Sequence, residues 1–187
     1  SMTGYVEALT DPSYAGQIVV MTYPQIGNYG VTVEDSEKPV IAARGLVVRD
    51  LQEFFSPGPG RMSLEQFMID QGLPGITGVD SRAITRHIRD KGSIVAAIGG
   101  ERMSDEELLQ IARSHKLDRG QRLVEHVSGS LNAVHDGTAG RAAVIDLGVK
   151  KSIVDNVRRL GVTTQVFDAS FKADDILGGG FDFVVVS

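Results

Sequence analysis

Three stretches of this chain hold residue types that could do chemistry at a useful spacing. In the first, Thr10-Asp-Pro-Ser-Tyr14 and Thr22-Tyr-Pro-Gln-Ile-Gly-Asn-Tyr-Gly30 are rich in proline, glycine, asparagine and hydroxyls. Such loops can aim backbone amides and side-chain donors at a small polar ligand, although ordinary turn chemistry uses the same residues. The second is the strand-to-helix turn Asp146-Leu-Gly-Val-Lys-Lys151. A strand running into a helix points free amides at the crevice beyond the strand ends, where open α/β sheets bind ligands, and Lys150 adds positive charge. Its single glycine falls short of a dinucleotide fingerprint, and a tight turn with solvated lysines is the plainer alternative. The third is Gly78-Val-Asp-Ser-Arg-Ala-Ile-Thr-Arg-His-Ile-Arg-Asp-Lys-Gly92. Arg82, Arg86 and Arg89 share a helical face there that could pair with carboxylates on an acidic partner, or could simply be a solvated stripe.

Several kinds of chemistry are excluded. The chain has 0 cysteines, which removes disulfides, cysteine-ligated zinc, iron–sulfur clusters and thiol catalysis by these residues. His87, His115, His126 and His135 show no metal-ligand spacing and no neighbouring nucleophile, so no metal is expected; His87 falls on the side of its helix expected to face inward. Gly178-Gly-Gly180 precedes a strand, whereas a phosphate loop would precede a helix. Nineteen basic residues against 24 acidic ones give a net charge of -5 without any long run of one sign. Nucleic acid is therefore not an expected partner. No apolar stretch is long enough to span a bilayer and the first ten residues lack signal-peptide character, so no membrane association is expected and the cytoplasm is the expected compartment.

The elements that must position these residues follow from periodicity. At 187 residues with 42% hydrophobic and 23% charged residues, the chain is expected to fold around one large or two small cores. Residues 1–127 mix β-rich runs (17–22, 40–43, 45–49) with helices. Leu64, Phe67 and Met68 share a side of the helix over 63–71, and Ile84, His87 and Ile88 a side of the helix over 81–91, capped by Asp80 and ended by Gly92. Ser104 and Glu107 form a capping box for a third helix that carries Leu108, Ile111 and Ala112 inward. Residues 128–140 are small, polar and glycine-rich and are expected to link two domains. After them the pattern becomes strand (141–146), helix (150–160), strand (163–167), helix (172–177) and strand (181–186), the grammar of parallel βαβ units. The fold class is thus α/β overall: an α+β first domain (1–127), a linker (128–140) and the opening half of a doubly wound parallel α/β domain (141–187). The apolar run at 181–186 reads as a strand buried on both faces, and the chain is expected to be an internal piece of a longer one.

The same segments carry an ordered set of motifs: Met2-Thr-Gly-Tyr5, Leu9-Thr-Asp-Pro-Ser-Tyr14, Gln17-Ile-Val19, Thr22-Tyr-Pro24 with Ile26-Gly-Asn-Tyr-Gly30, Gly45-Leu-Val-Val-Arg-Asp50, and Gly78-Val-Asp-Ser-Arg82 followed by Thr85-Arg86 and Arg89-Asp-Lys-Gly92. In content and order they resemble the small, glutamine-hydrolysing subunit of carbamoyl-phosphate synthetase, and Asp146-Leu-Gly-Val-Lys150 resembles the first turn of that family's class I amidotransferase domain. The resemblance implies a heterodimer in which glutamine is hydrolysed through a cysteine thioester. Its ammonia passes to a large subunit that uses ATP and Mg2+ to make carbamoyl phosphate for arginine and pyrimidine synthesis. It implies that Ser13 contacts bound L-glutamine, and that Ser187 begins the Ser-Asn-Gly-Pro-Gly-Asp-Pro segment completing the glutamine pocket. Lys150 and Ser187 are secondary site candidates, and Arg82, Arg86 and Arg89 are candidates for the large-subunit interface. The family's first strands, its catalytic cysteine, histidine and glutamate and its Gly-Pro-Gly loop have no counterpart here. No catalytic residue is therefore assigned within these residues, no cofactor is expected to bind them, and they are expected to be inactive alone. A non-catalytic docking module for the large subunit, and a small nucleotide-binding protein using the 146–150 turn, are the alternatives.

Overall fold

The computed structural model describes residues 3–32, 36–38, 40–53, 62–115, 123–131 and 133–187. It places α1 (Tyr5–Thr10), a 3-10 turn (Pro12–Tyr14), β1 (Ile18–Val20), β2 (Gln25–Ile26), β3 (Gly45–Val47), β4 (Asp50–Leu51), α2 (Leu64–Gln71), β5 (Gly75–Ile76), α3 (Ser81–Lys91), α4 (Asp105–Ser114) and α5 (Leu123–Val127) in the first two thirds of the chain. There follow β6 (Val134–His135), β7 (Arg141–Ile145), α6 (Lys151–Arg158), β8 (Thr163–Phe167), α7 (Ala173–Leu177) and β9 (Phe183–Val186). The fold is mixed α/β. Strands β1, β3 and β5 lie side by side in parallel, β2 and β4 form a parallel pair, and a third sheet has the order β6-β8-β7-β9. In that last sheet β7 is parallel to both β8 and β9, and β6 is antiparallel to β8.

Two apolar clusters hold these layers. One packs Tyr5, Val6 and Leu9 of α1 against Leu46 and Val48 around β3 and Leu64 and Met68 of α2. The other packs Ala142 and Val144 of β7 against Val154 and Val157 of α6, with Val166 of β8. Leu64 and Met68 are buried and Phe67 is half-buried, as the spacing within α2 predicts. Asp80 caps α3 by accepting the Ala83 amide at 2.9 Å, and Gly92 ends it. In α4 the capping box is complete: Ser104 Oγ accepts the Glu107 amide at 3.2 Å while Glu107 Oε2 accepts the Ser104 amide at 2.8 Å. That backbone hydrogen bond is the main reason the Glu107 carboxyl lies below its ordinary range.

Several expectations are corrected. His87 is exposed, because α3 turns Ile84 and Ile88 only part-way inward and leaves the intervening position to solvent. Ile111 of α4 is 47% exposed, so that helix buries less of its apolar side than its pattern predicts. Residues 40–43 form no strand: the Ala42 and Ala43 amides both donate to the Leu9 carbonyl, and regular pairing begins only at Gly45. Strand β9 is at the sheet edge with Phe183, Val184 and Val186 exposed, not buried on both faces, because its outer side meets no strand among the described residues. Within 128–140, Val134–His135 make a strand that no local pattern announces.

Next to that strand, Gly137 lies against β8, where its amide donates to Thr163 Oγ1 and its carbonyl accepts from the same hydroxyl. A Cβ at this position would sit 2.3 Å from the Val162 carbonyl carbon, a backbone atom that cannot swing aside. Gly137→Ala is expected to lower stability by about 1–3 kcal/mol, the usual cost of overpacking, through displacement of β6. Hydrogen exchange of the β6 and β8 amides checks it; unchanged protection would refute the close approach.

Candidate functional site

The site is built around the turn leaving β7. Asp146, fully buried, accepts the Gly148 and Val149 amides through Oδ1 at 2.9 and 2.8 Å, and this bends the chain into α6. Gly148 has φ +119°, a region that side chains avoid, and a Cβ there would meet Val127 at 3.1 Å and Pro12 at 3.5 Å. The turn can therefore press closely against the first half of the molecule. Through Oδ2, Asp146 also accepts the Gly129 amide at 2.9 Å.

Lys150 caps α6 without a side-chain bond of its own, which leaves its ammonium to reach across to Asp11 Oδ2 at 2.8 Å. The other carboxylate oxygen of Asp11 accepts the Ser13 amide at 2.9 Å and so starts the 3-10 turn 12–14. Burial pushes the Asp11 carboxyl up, but hydrogen bonds from Lys150 and Ser13 outweigh it and hold the group below its ordinary range. The hydrogen bond to Asp11 raises Lys150, against a smaller opposing effect of burial, and Glu37 and Tyr14 add to the rise. Glu37 accepts the Ser152 amide at 3.0 Å and the Ser152 hydroxyl at 2.9 Å, so a carboxylate from the first half occupies the N-terminus of α6. Lys38 donates to the Val127 carbonyl and lies 3.9 Å from Asp146 Oδ2. Burial pushes its ammonium down and Asp146 opposes the shift.

Of the residues singled out by sequence, the structure brings three to this place. Ser13 is exposed on the 3-10 turn, anchored to Asp11. Lys150 is bonded to that same carboxylate, so it is not the freely solvated lysine of the plainer alternative. Ser187 lies beside the turn: its amide donates to the Ile145 carbonyl at 3.2 Å and its carbonyl accepts the Leu147 amide at 2.8 Å. Arg82, Arg86 and Arg89 are not part of it. All three are exposed on α3, and Arg89 lies 3.6 Å from Asp90. Sequence reasoning missed Asp11, Glu37, Lys38 and Asp146 as ionic partners. Asp11 and Asp146 stood inside the loops it singled out, whereas Glu37 and Lys38 carried no local signal.

Chemically, the arrangement is a polar junction at the carboxyl end of β7, where the 3-10 turn 12–14 and Ser187 meet the turn into α6. The α6 amide and the Lys150 charge, which a phosphate would need, are already taken by carboxylates. That argues against the nucleotide-binding alternative. Among the described residues, no group of three or more His, Asp or Glu side chains could hold a metal ion, and no helix is long and apolar enough to cross a membrane.

Fold and site together define a mixed α/β protein whose candidate site lies at the end of a parallel strand, where the turn into α6 is tied to the 3-10 turn 12–14. The chain belongs to the carbamoyl-phosphate synthase small chain family: the family model described as the small chain's CPSase domain matches residues 1–98. Over 186 residues it is 38% identical to the carbamoyl phosphate synthase small chain of Listeria monocytogenes serotype 4b, covering 100% of this chain and 51% of that one. It is 41% identical over 189 residues to the small chain of Archaeoglobus fulgidus, covering 100% and 52%. With the Clostridium perfringens small chain it shares 34% over 186 residues, covering 100% and 52%. The chain thus spans about half the length of the curated relatives it matches.

Proposed function

We propose that this chain is part of a glutaminase subunit of carbamoyl-phosphate synthase. In this reading the subunit frees ammonia from L-glutamine and delivers it to a large subunit, which uses ATP and Mg2+ to make carbamoyl phosphate for arginine and pyrimidine synthesis in the cytoplasm. The observation that carries the reading is the 2.8 Å bond from Lys150 to Asp11, which ties the Ser13 loop to the turn beside Ser187 in a chain of this family. Ser13 contacts the substrate, and Lys150 and the Ser187 strand end hold the other side of the pocket. The amide is attacked by a cysteine, assisted by histidine and glutamate, and these are supplied outside the 187 residues, which contain no cysteine. These residues alone therefore form part of a pocket and hydrolyse no glutamine, and they bind no cofactor of their own.

Ser13→Ala in the full natural chain, paired with its large subunit, is expected to raise KM for glutamine roughly tenfold, the loss of one hydrogen bond to a polar substrate. Synthesis supplied with free ammonia should not change. An unaltered glutamine KM would refute the assignment of Ser13.

A docking role is the second reading, favoured by the exposure of all three α3 arginines. Reversing their charge together (Arg82→Glu, Arg86→Glu, Arg89→Glu) is expected to weaken heterodimer formation at least tenfold, with the effect fading at high salt. Sedimentation of the mixed subunits measures it. A heterodimer of undiminished affinity would remove α3 from the interface.

A further inference from the structure

Lys38 stands where three pieces of chain meet. Its ammonium donates to the carbonyl of Val127, one of the carbonyls left open at the end of α5, and faces the Asp146 carboxylate that shapes the turn after β7. Both side chains of the pair are buried, with 9% and 0% exposure. A charge at such a position is costly to desolvate, and an apolar side chain of similar length would fill the space. What a methionine could not do is engage the α5 carbonyl and the Asp146 carboxylate together.

The residue before it makes a second connection, because Glu37 holds the first turn of α6 through Ser152. Asp11 and Lys150 make a third. Two contacts leave one packed body free to rock about the line joining them; a third contact off that line stops the motion. Glu37 and Lys38 reach different ends of the 146–152 segment, so together with Asp11 they can fix the turn in height and in tilt.

We propose that Lys38 is a positioning residue for the glutamine site: by holding Asp146 and the Val127 carbonyl at once, it seats the 146–150 turn against the 3-10 turn 12–14, so that Lys150 meets Asp11. The geometric part stands on the contacts alone, and its consequence for glutamine rests on the glutaminase reading. Lys38 touches neither Lys150 nor Asp11 through any hydrogen bond or ion pair of the described residues, so its effect on their pairing must travel through the turn.

The test uses the full natural chain carrying Lys38→Met or Lys38→Gln, with aspartate carboxyls labelled with carbon-13. The glutamine variant removes the charge and keeps an N–H donor on a side chain one bond shorter. In both variants the Asp11 titration midpoint should rise from its lowered position toward the ordinary carboxylate range, and affinity for glutamine should fall roughly tenfold, as a displaced pocket wall would cause. A mere packing role would leave the Asp11 midpoint in place. The proposal is overturned if folded Lys38→Gln keeps the Asp11 midpoint of the unsubstituted chain, or if the midpoint moves while glutamine affinity does not. Failure of Lys38→Gln to fold also overturns it, since both apolar cores are packed from other residues. If the unsubstituted chain does not bind glutamine at all, the glutaminase reading fails, and the Asp11 titration still decides the role of Lys38.

Discussion

Lys150→Met in the full natural chain is expected, on the proposed glutaminase function, to lower kcat/KM for glutamine by a factor of roughly ten to a hundred, the penalty typical of a displaced pocket wall. The Asp11 side chain is 8% exposed and that of Lys150 36%, so the pair lies between surface ion pairs, worth about 0–1 kcal/mol, and buried ones, whose breaking costs about 3–5 kcal/mol. A loss of about 2 kcal/mol corresponds to a factor of roughly 30 in an equilibrium. Without Lys150, Asp11 keeps the Ser13 amide, but burial is no longer offset by an ammonium and its carboxyl moves up.

The pH dependence follows from both members of that pair. Asp11 has a lowered folded-state pKa, so its contribution is present above the ordinary carboxylate value and is lost as pH falls through the lowered one. Lys150 has a raised one, so its contribution is fully present below the ordinary lysine value and is lost as pH rises through the raised one. Stability from the pair is therefore level across neutral pH in the unsubstituted chain. In Lys150→Met the acid limb should begin at higher pH. Steady-state glutamine hydrolysis at several pH values measures both effects, and an unchanged kcat/KM with an unchanged acid limb would show that the pair does not bear on the site.

Asp146→Ala should be the most destabilising single change in the second core. It strips the acceptor from the Gly148, Val149 and Gly129 amides and leaves Lys38 facing no carboxylate. Each buried donor left unpaired costs about 1–3 kcal/mol, and breaking a buried ion pair costs about 3–5 kcal/mol. The turn can relax and let water reach some of these groups, so the expected total is about 4 kcal/mol, at the extreme of single-site effects. Denaturant unfolding followed by a probe in β7 or β8 reads it directly. Asp146→Asn separates shape from charge: its amide nitrogen would confront at least one N–H that now finds an oxygen, and the loss should be intermediate. A cost under about 1 kcal/mol for the alanine variant would mean that the turn holds its shape by other means.

Much of the second core was legible from residue order alone. Strands β7, β8 and β9 and helices α6 and α7 fall within the ranges read from short apolar runs alternating with amphipathic segments, since each is written in neighbouring residues. The boundaries of α3 and the capping box of α4 were equally readable, because a cap joins residues three positions apart. Strand β6 was not, for two residues carry no period and owe their conformation to β8. His87 and Ile111 went astray for a related reason: periodicity says which residues share a face, and only packing against a neighbour says how far that face is buried.

The candidate site divides in the same way. By itself the sequence determined that Ser13 sits in a proline-led turn, that Lys150 begins a helix after an apolar strand, and that family motifs run in order along the chain. Only the tertiary structure decided that Asp11 takes the Lys150 ammonium, that Glu37 and Ser152 meet from 115 positions apart, and that Lys38 is buried against Val127 and Asp146. Turns and helix starts are written in neighbouring residues, because backbone torsions and caps act over a few positions. An ion pair between distant loops leaves no such mark: opposite charges are common along any soluble chain, and which of them meet is decided when the two apolar cores dock.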